Sequence, residues 1–282
     1  MLGRFLTRLI DAQSIWSRPL GDFNHRWVSA LFRPIRPVKD FLHGTWLGHS
    51  LHAALTDMPI GILVLVTIFD VLRLSTAADV ALLVAVLSLL AAATAGLADY
   101  TATDGRARRT ATVHSTLMIS ATVLYVISLV IRAGGPADRT LPTALAIVGL
   151  VLITAGAYVG GEVVFALGNM VDRHAWLRGQ AQWVRLEVGE MPEGVPTKGM
   201  AGGQPLLLVR QGDRISAMHE VCAHAGGPLS KGRVVDGCIE CPWHQSRFQL
   251  TDGHRAQGPT TFDQPLYEIR AQADGFEVRR LS

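Results

Sequence analysis

Four apolar stretches between residues 51 and 161 constrain this chain more than any other feature. Lipid offers a peptide backbone no hydrogen-bonding partner, so a crossing segment must satisfy its own backbone, and a helix needs about 20 mostly apolar residues to do so. Val80 to Leu97, Val113 to Ile131 and Leu141 to Gly161 contain no Asp, Glu, Lys or Arg. Pro142 lies near the start of the last, where a missing N–H is tolerated. A first span from about Leu51 to Leu72 carries Asp57 and Asp70 around the charge-free centre Met58 to Phe69. The pattern predicts a four-helix transmembrane domain over 49–162, a basic amphipathic lead over 1–48 and a linker over 163–180. Small residues at Ala91, Ala92, Ala93, Ala95 and Gly96, and at Gly156 and Gly160, suit closely approaching helices.

Lys and Arg in the flanks set the expected orientation. The lead carries Arg4, Arg8, Arg18, Arg26, Arg33, Arg36 and Lys39, and the loop between spans two and three adds Arg106, Arg108 and Arg109. The opposite loops hold Arg73, Arg132 and Arg139. The expectation is a multi-pass protein of the cell membrane with both termini in the cytoplasm. Residues 1–179 hold 15 basic and 11 acidic side chains, and residues 180–282 hold 11 and 12, so the net charge of +3 comes from the front. Basic charge beside apolar runs points to the lipid bilayer as partner, and not to nucleic acid. In MLGRFLTRLIDAQSIW, Arg4, Arg8 and Asp11 interrupt any signal-peptide core, while Leu2, Phe5, Leu6, Leu9 and Ile10 fall at helical spacing. Such a helix lies in the membrane interface or packs on protein.

Beyond the linker the pattern changes to short alternating runs separated by turn residues, WVRLEV, LLLVR, RISAM, FQL, YEIRAQ and FEVRR, which predict a small all-β domain over 181–282. The fold class is therefore multi-domain, an α-helical four-span bundle followed by a small β domain. Within the latter stand Cys222-x-His224 and, sixteen residues on, Cys241-x-x-His244. The chain has three cysteines, Cys222, Cys238 and Cys241, grouped as ligands are and not dispersed as a disulfide framework. Zinc sites usually draw like ligands from one loop. Here each loop offers one thiol and one imidazole, which suits a two-metal cluster, with zinc at the same four residues as the alternative.

This motif, with AGGPLS and CPWHQSRF around it and Gly258-Pro259 and Pro265 beyond, resembles a Rieske [2Fe-2S] domain over roughly Trp183 to Arg280. The resemblance implies that Cys222 and Cys241 hold the buried iron and that His224 and His244, exposed, hold the outer one. Gly227 and Trp243 stand where the respiratory type has a disulfide, so that bridge is ruled out. Ser246 is kept as a hydrogen-bond donor to the cluster, whereas Phe248 replaces a tyrosine donor. Fewer such bonds place the expected potential towards the low end of the Rieske range of about −150 to +300 mV. Gln245 stands where the family often has glycine. Cys238, beside Ile239, reads as a buried structural thiol, and His219 and His254 as surface residues.

His49, His52, Asp57, Asp99, His114 and Glu162 fall at one depth of the expected bundle. His49, His52 and His114 are candidate ligands for haem b. Interfacial polarity is the competing reading, with Asp57 capping a helix ahead of Pro59. Leu42 to Glu162 also resembles an uncharacterised four-helix bacterial membrane domain found fused to Rieske domains, in which His-Pro often occurs where this chain has His49-Ser50 and His52-Ala53. Together these readings imply a membrane-anchored carrier of single electrons whose partner is a reductase, an oxygenase or a respiratory component. A membrane oxidoreductase subunit with haem or quinone in the bundle, and a structural or sensory metal module, are the alternatives. A ring-hydroxylating oxygenase would need a large iron-bearing domain after the cluster, and the expectation is that the few residues following the last predicted strand, FEVRR, leave no length for one.

Overall fold

The computed structural model describes residues 2–135, 138–177 and 182–281. The last part of the expected linker, 178–180, and the ends of the expected β domain, 181 and 282, lie outside them, as does residue 1 of the lead. Two compact units result, one of Met1–Leu42 with Ser50–Asn169 and one of His43–His49 with Met170–Ser282.

The first unit is helical: α1 (Leu2–Ala12), α2 (Ser14–Phe32), α3 (Arg36–His43), α4 (Leu51–Val71), α5 (Ser75–Tyr100), α6 (Gly105–Ala133) and α7 (Thr140–Gly161), the last running on through a π turn at Glu162–Ala166. The segments beginning at Leu51, Ser75, Gly105 and Thr140 are long and apolar enough to cross a membrane. Ser50 caps α4, its hydroxyl accepting from Ala53 N–H at 3.3 Å, and α4 runs through Pro59. Asp57 therefore lies inside the helix and is not the cap expected of it. Starting α6 at Gly105 puts Arg106 and Arg108 on a helix that meets the lead: Arg106 pairs with Asp11 and Arg108 with Asp22, each at 3.0 Å. Tyr100 donates to Gly21 O, and a Cβ at Gly21 would come within 2.6 Å of Thr112 Oγ1, so only glycine lets α2 approach this closely.

The bundle core is built from Leu63, Val66, Leu82, Leu89, Ala121, Tyr125 and Ile153, while Val64, Leu65, Ile68, Leu83, Val123 and Val151 point outwards. An apolar outer face around a packed apolar interior is what lipid as solvent requires. At one end Arg132, its side chain 0% exposed, pairs with Asp70 at 2.6 Å and Asp79 at 3.2 Å, and Asp79 also meets Arg139. Thus the aspartate that weakened the first span as an apolar segment is neutralised inside the bundle.

The second unit holds β1 (Val184–Glu187), β2 (Thr197–Ala201), β3 (Gln204–Gln211), β4 (Arg214–His219), β5 (Arg233–Val235), β6 (Cys238–Glu240), β7 (Arg247–Gln249), β8 (Arg255–Gln257), β9 (Leu266–Gln272) and β10 (Gly275–Arg280). A closed barrel of order β1-β10-β9-β4-β3-β2 carries a four-stranded sheet β5-β6-β7-β8 as a second lobe. The run Leu206 to Val209 is buried on both faces for a specific reason. Leu206 and Leu208 fill the barrel, whereas Leu207 and Val209 belong to the core shared with Cys222, Cys241, Ile239 and Phe248. With a side-chain period of two, β3 serves as the wall between two cores and reads as continuously apolar.

Candidate metal centre

Cys222 and His224 lie on the loop after β4, and Cys241 and His244 on the loop between β6 and β7. The two loops are the same turn made twice. In the first, Cys222 N–H donates to Gly227 O at 2.9 Å and Gly226 N–H donates back to Cys222 O at 2.9 Å. In the second, Cys241 N–H donates to Ser246 O at 2.9 Å and Gln245 N–H to Cys241 O at 3.1 Å. The fifth residue of each is in the left-handed region, Gly226 at φ +82° and Gln245 at φ +64°. That is why glycine is the easy choice at the second position, and Gln245 holds the same shape without it.

The turns bring the four predicted residues together as a sulfur pair and a nitrogen pair. The Cys222 thiol donates to Cys241 sulfur; this contact, opposed by burial and helped by the N–H groups of Trp243 and His244, lowers Cys241 to about 7. The same contact, then burial, pushes Cys222 up. The contact thus favours the thiolate form of Cys241 over that of Cys222, and thiolate is the form a metal requires. The His224 and His244 rings stand 4.9 Å apart, centroid to centroid, nearly perpendicular. Among the described residues no group of three or more His, Cys, Asp or Glu side chains is disposed around one ion. Two donors of each kind, paired by element, fit a two-iron cluster better than a single zinc. His224 is 3% exposed and His244 half-buried, so the expectation that both imidazoles are exposed is corrected: burial in the second unit's core loop covers His224.

Supporting contacts come from residues that spacing does not reveal. Gln264 donates to His219 O at 2.6 Å and Val221 O at 2.7 Å, and accepts from Ala223 N–H at 3.0 Å, fixing the first loop with one side chain. Gly258 to Thr261 are buried, and Thr260 N–H donates to Ser246 Oγ at 3.2 Å. That bond uses the hydroxyl oxygen as acceptor, leaving its proton to donate. Phe248 is fully buried. An added Cβ at Gly227 would lie 2.8 Å from Cys241 Sγ and 3.1 Å from the Trp243 ring, so these two positions face each other without a disulfide. Cys238 is buried, as expected, and burial raises its thiol pKa. His254 is exposed, but His219 is not: His174 Nε2 and His219 Nδ1 share a hydrogen bond at 3.1 Å, both rings being buried. The surface assignment of His219 is therefore corrected, because a segment read as linker packs upon it. Burial, then the facing imidazole, lowers His219 to about 4, and burial lowers His174 to about 4. Of the membrane candidates, His52 and His114 lie together in the first unit, 6.1 Å between ring centroids, while His49 belongs to the second.

A barrel bearing a small sheet whose two matched turns present Cys-His pairs defines a Rieske-type iron–sulfur domain. Residues 182–268 match the Rieske [2Fe-2S] domain, and residues 48–173 match the family described as a predicted membrane protein (DUF2231). The chain is 38% identical over 99 residues to the anthranilate 1,2-dioxygenase ferredoxin subunit of Burkholderia cepacia, covering 35% of this chain and 92% of that one. It is 30% identical over 83 residues to the ferredoxin component of the naphthalene 1,2-dioxygenase system of Pseudomonas aeruginosa, covering 29% and 80%. Among solved structures, the ferredoxin of carbazole 1,9a-dioxygenase from Nocardioides aromaticivorans IC177 aligns at 28% identity and a TM-score of 0.31, covering 33% of this chain and 94% of the other. The chain belongs to the Rieske [2Fe-2S] family, as a ferredoxin-like domain joined to a predicted membrane domain, and its cofactor is a [2Fe-2S] cluster.

Proposed function

We propose that this protein is a membrane-anchored Rieske ferredoxin carrying single electrons at the cytoplasmic face, and that Cys222 and Cys241 bind one iron while His224 and His244 bind the other. The observation that carries this reading is the pair of matched turns with thiol next to thiol and imidazole next to imidazole. A [2Fe-2S] cluster in this setting takes up and gives back one electron. The protein's part is to hold the thiolates in a buried core, to orient the imidazoles, and to leave His244 as the more open of the two. Electron exchange with a partner then runs through the His244 side.

The relatives' names pair a ferredoxin with a dioxygenase, which supports an oxygenase or its reductase as the partner class. Ten Lys and Arg in the lead and the second loop, against Arg73, Arg132 and Arg139 on the other side, support cytoplasmic termini. The test is analysis of the full chain purified anaerobically in detergent. Two irons and two acid-labile sulfides per chain, with a reversible EPR signal on reduction, are expected; zinc without sulfide sinks the reading. A reporter fused after Ser282 that is active only outside the cytoplasm would overturn the orientation.

A further inference from the structure

The membrane unit is two copies of one design. In the hairpin of α4 and α5, His52 Nδ1 bonds Ala92 O at 2.8 Å, and Gly96, four residues on, lies against the same ring. In the hairpin of α6 and α7, His114 Nδ1 bonds Gly156 O at 2.8 Å, and Gly160, four residues on, lies against that ring. A Cβ would come within 2.9 Å of the imidazole at Gly96 and 3.0 Å at Gly160. The match continues along the helices, since Asp70 and Arg132, which pair at 2.6 Å, each follow their histidine by eighteen residues. At the helical rise this is about 27 Å. The two histidines thus sit at equivalent points of two equivalent hairpins, held in register by an ion pair at the far end.

The chemistry of each ring follows from its anchor. A carbonyl only accepts, so Nδ1 carries the proton in both histidines and Nε2 carries a lone pair, the form in which imidazole binds metals. The second-sphere bond from Nδ1–H to a backbone carbonyl is also the usual device that fixes a ligating imidazole. Among the described residues neither Nε2 makes a hydrogen bond. The rings are 6.1 Å apart at 77°. Imidazole nitrogens bind first-row metals at about 2 Å, so two rings on opposite sides of one ion have centroids about 6 Å apart. No third His, Cys, Asp or Glu is disposed to complete a site for a bare ion among the described residues. A metal held by two trans imidazoles and nothing else from the chain needs its other four donors from a macrocycle, inside a helix bundle of the kind that houses haem.

We infer that His52 and His114 are the axial ligands of one b-type haem bound between the two hairpins, and that His49 is not a ligand. This site does not depend on the iron–sulfur reading. The test uses the full chain purified in detergent from cells supplied with δ-aminolevulinate. Pyridine haemochrome analysis and the reduced-minus-oxidised spectrum should give about one haem b per chain, with a low-spin ferric EPR signal. H52A and H114A should each lower occupancy at least tenfold, H49A should leave it unchanged, and the cluster signal should persist in all three. Haem-free wild-type protein, or full occupancy in either H52A or H114A, overturns the assignment. If the alanine variants do not accumulate, H114M decides: bound haem with a changed axial signature and a higher potential supports the site, since methionine–histidine ligation raises the potential, and an unchanged spectrum rejects it. Presence of haem with no cluster signal in the wild type would reject the Rieske proposal and leave this one standing.

Discussion

Gln245 shows how a single residue reports the shape of its loop. It occupies the left-handed conformation at φ +64° that Gly226 occupies at the equivalent point of the partner turn. A side chain pays a steric penalty there that glycine avoids, partly offset by glycine's greater freedom when unfolded. Q245G is expected to stabilise the second unit by about 0.5 to 1 kcal/mol, seen as a higher denaturant midpoint for loss of the visible circular dichroism of the cluster. Phe248 is the complementary case, a fully buried ring in the core that also holds Cys222 and Cys241. F248Y should raise the potential of the cluster in a redox titration by adding a hydrogen-bond donor near ligand sulfur; an unchanged or lower potential would contradict this. The neutral His174–His219 pair gives a pH dependence. Both folded values, about 4, lie below the ordinary 6.5. The stability from keeping the rings neutral is complete above pH 6.5 and is lost as the pH falls towards 4. The loss is on the order of 3 kcal/mol for one ring. H219Q should flatten this part of the acid-unfolding profile.

At the scale of elements, the charged end of the bundle is the most exacting packing problem. Arg132 is buried with Asp70 and Asp79 around it, and Ser128 Oγ also accepts from its Nε at 3.1 Å. Removing one partner of such a pair leaves a buried charge unmatched, at a cost of about 3 to 5 kcal/mol. R132M should therefore lower the unfolding temperature of the helical unit in detergent sharply. The double variant D70L/R132M should recover much of the loss, because the neighbouring charge goes too. In the β unit, the same scale explains why Leu206 to Val209 resists reading as an alternating strand: alternation is present, but each face meets a different core.

At the scale of the whole molecule, the two units carry separate cores, one of helices and one of strands. Chelation and oxidative removal of the cluster should consequently loosen the loops bearing Cys222 and Cys241 while the far-ultraviolet signal of the helices stays intact; collapse of both together would show that the cores are coupled. Much of this architecture was legible in one dimension. Apolar run length gave the four spans, and the Cys-x-His and Cys-x-x-His spacings gave the paired donors, because both are local properties that burial or metal chemistry imposes on neighbouring residues. The capping role given to Asp57 failed for an equally local reason, since Ser50 was available about two turns earlier.

Other features lay beyond any local pattern. Residues 43–49 group with the second unit, where Arg255 donates to Thr45 O at 2.7 Å across 210 positions. Gln264 fixes a loop 41 positions away through Ala223, and His174 buries a histidine that spacing left on the surface. The sequence by itself determined which segments are long and apolar enough to cross a membrane and which side chains stand as paired thiol and imidazole donors, since hydrophobicity and ligand chemistry belong to residue types and their near neighbours. Only the tertiary structure decided that His52 meets His114 and that Arg132 neutralises Asp70. Those pairings depend on where helices sixty residues apart come to lie, and that is set by the packing of the whole bundle.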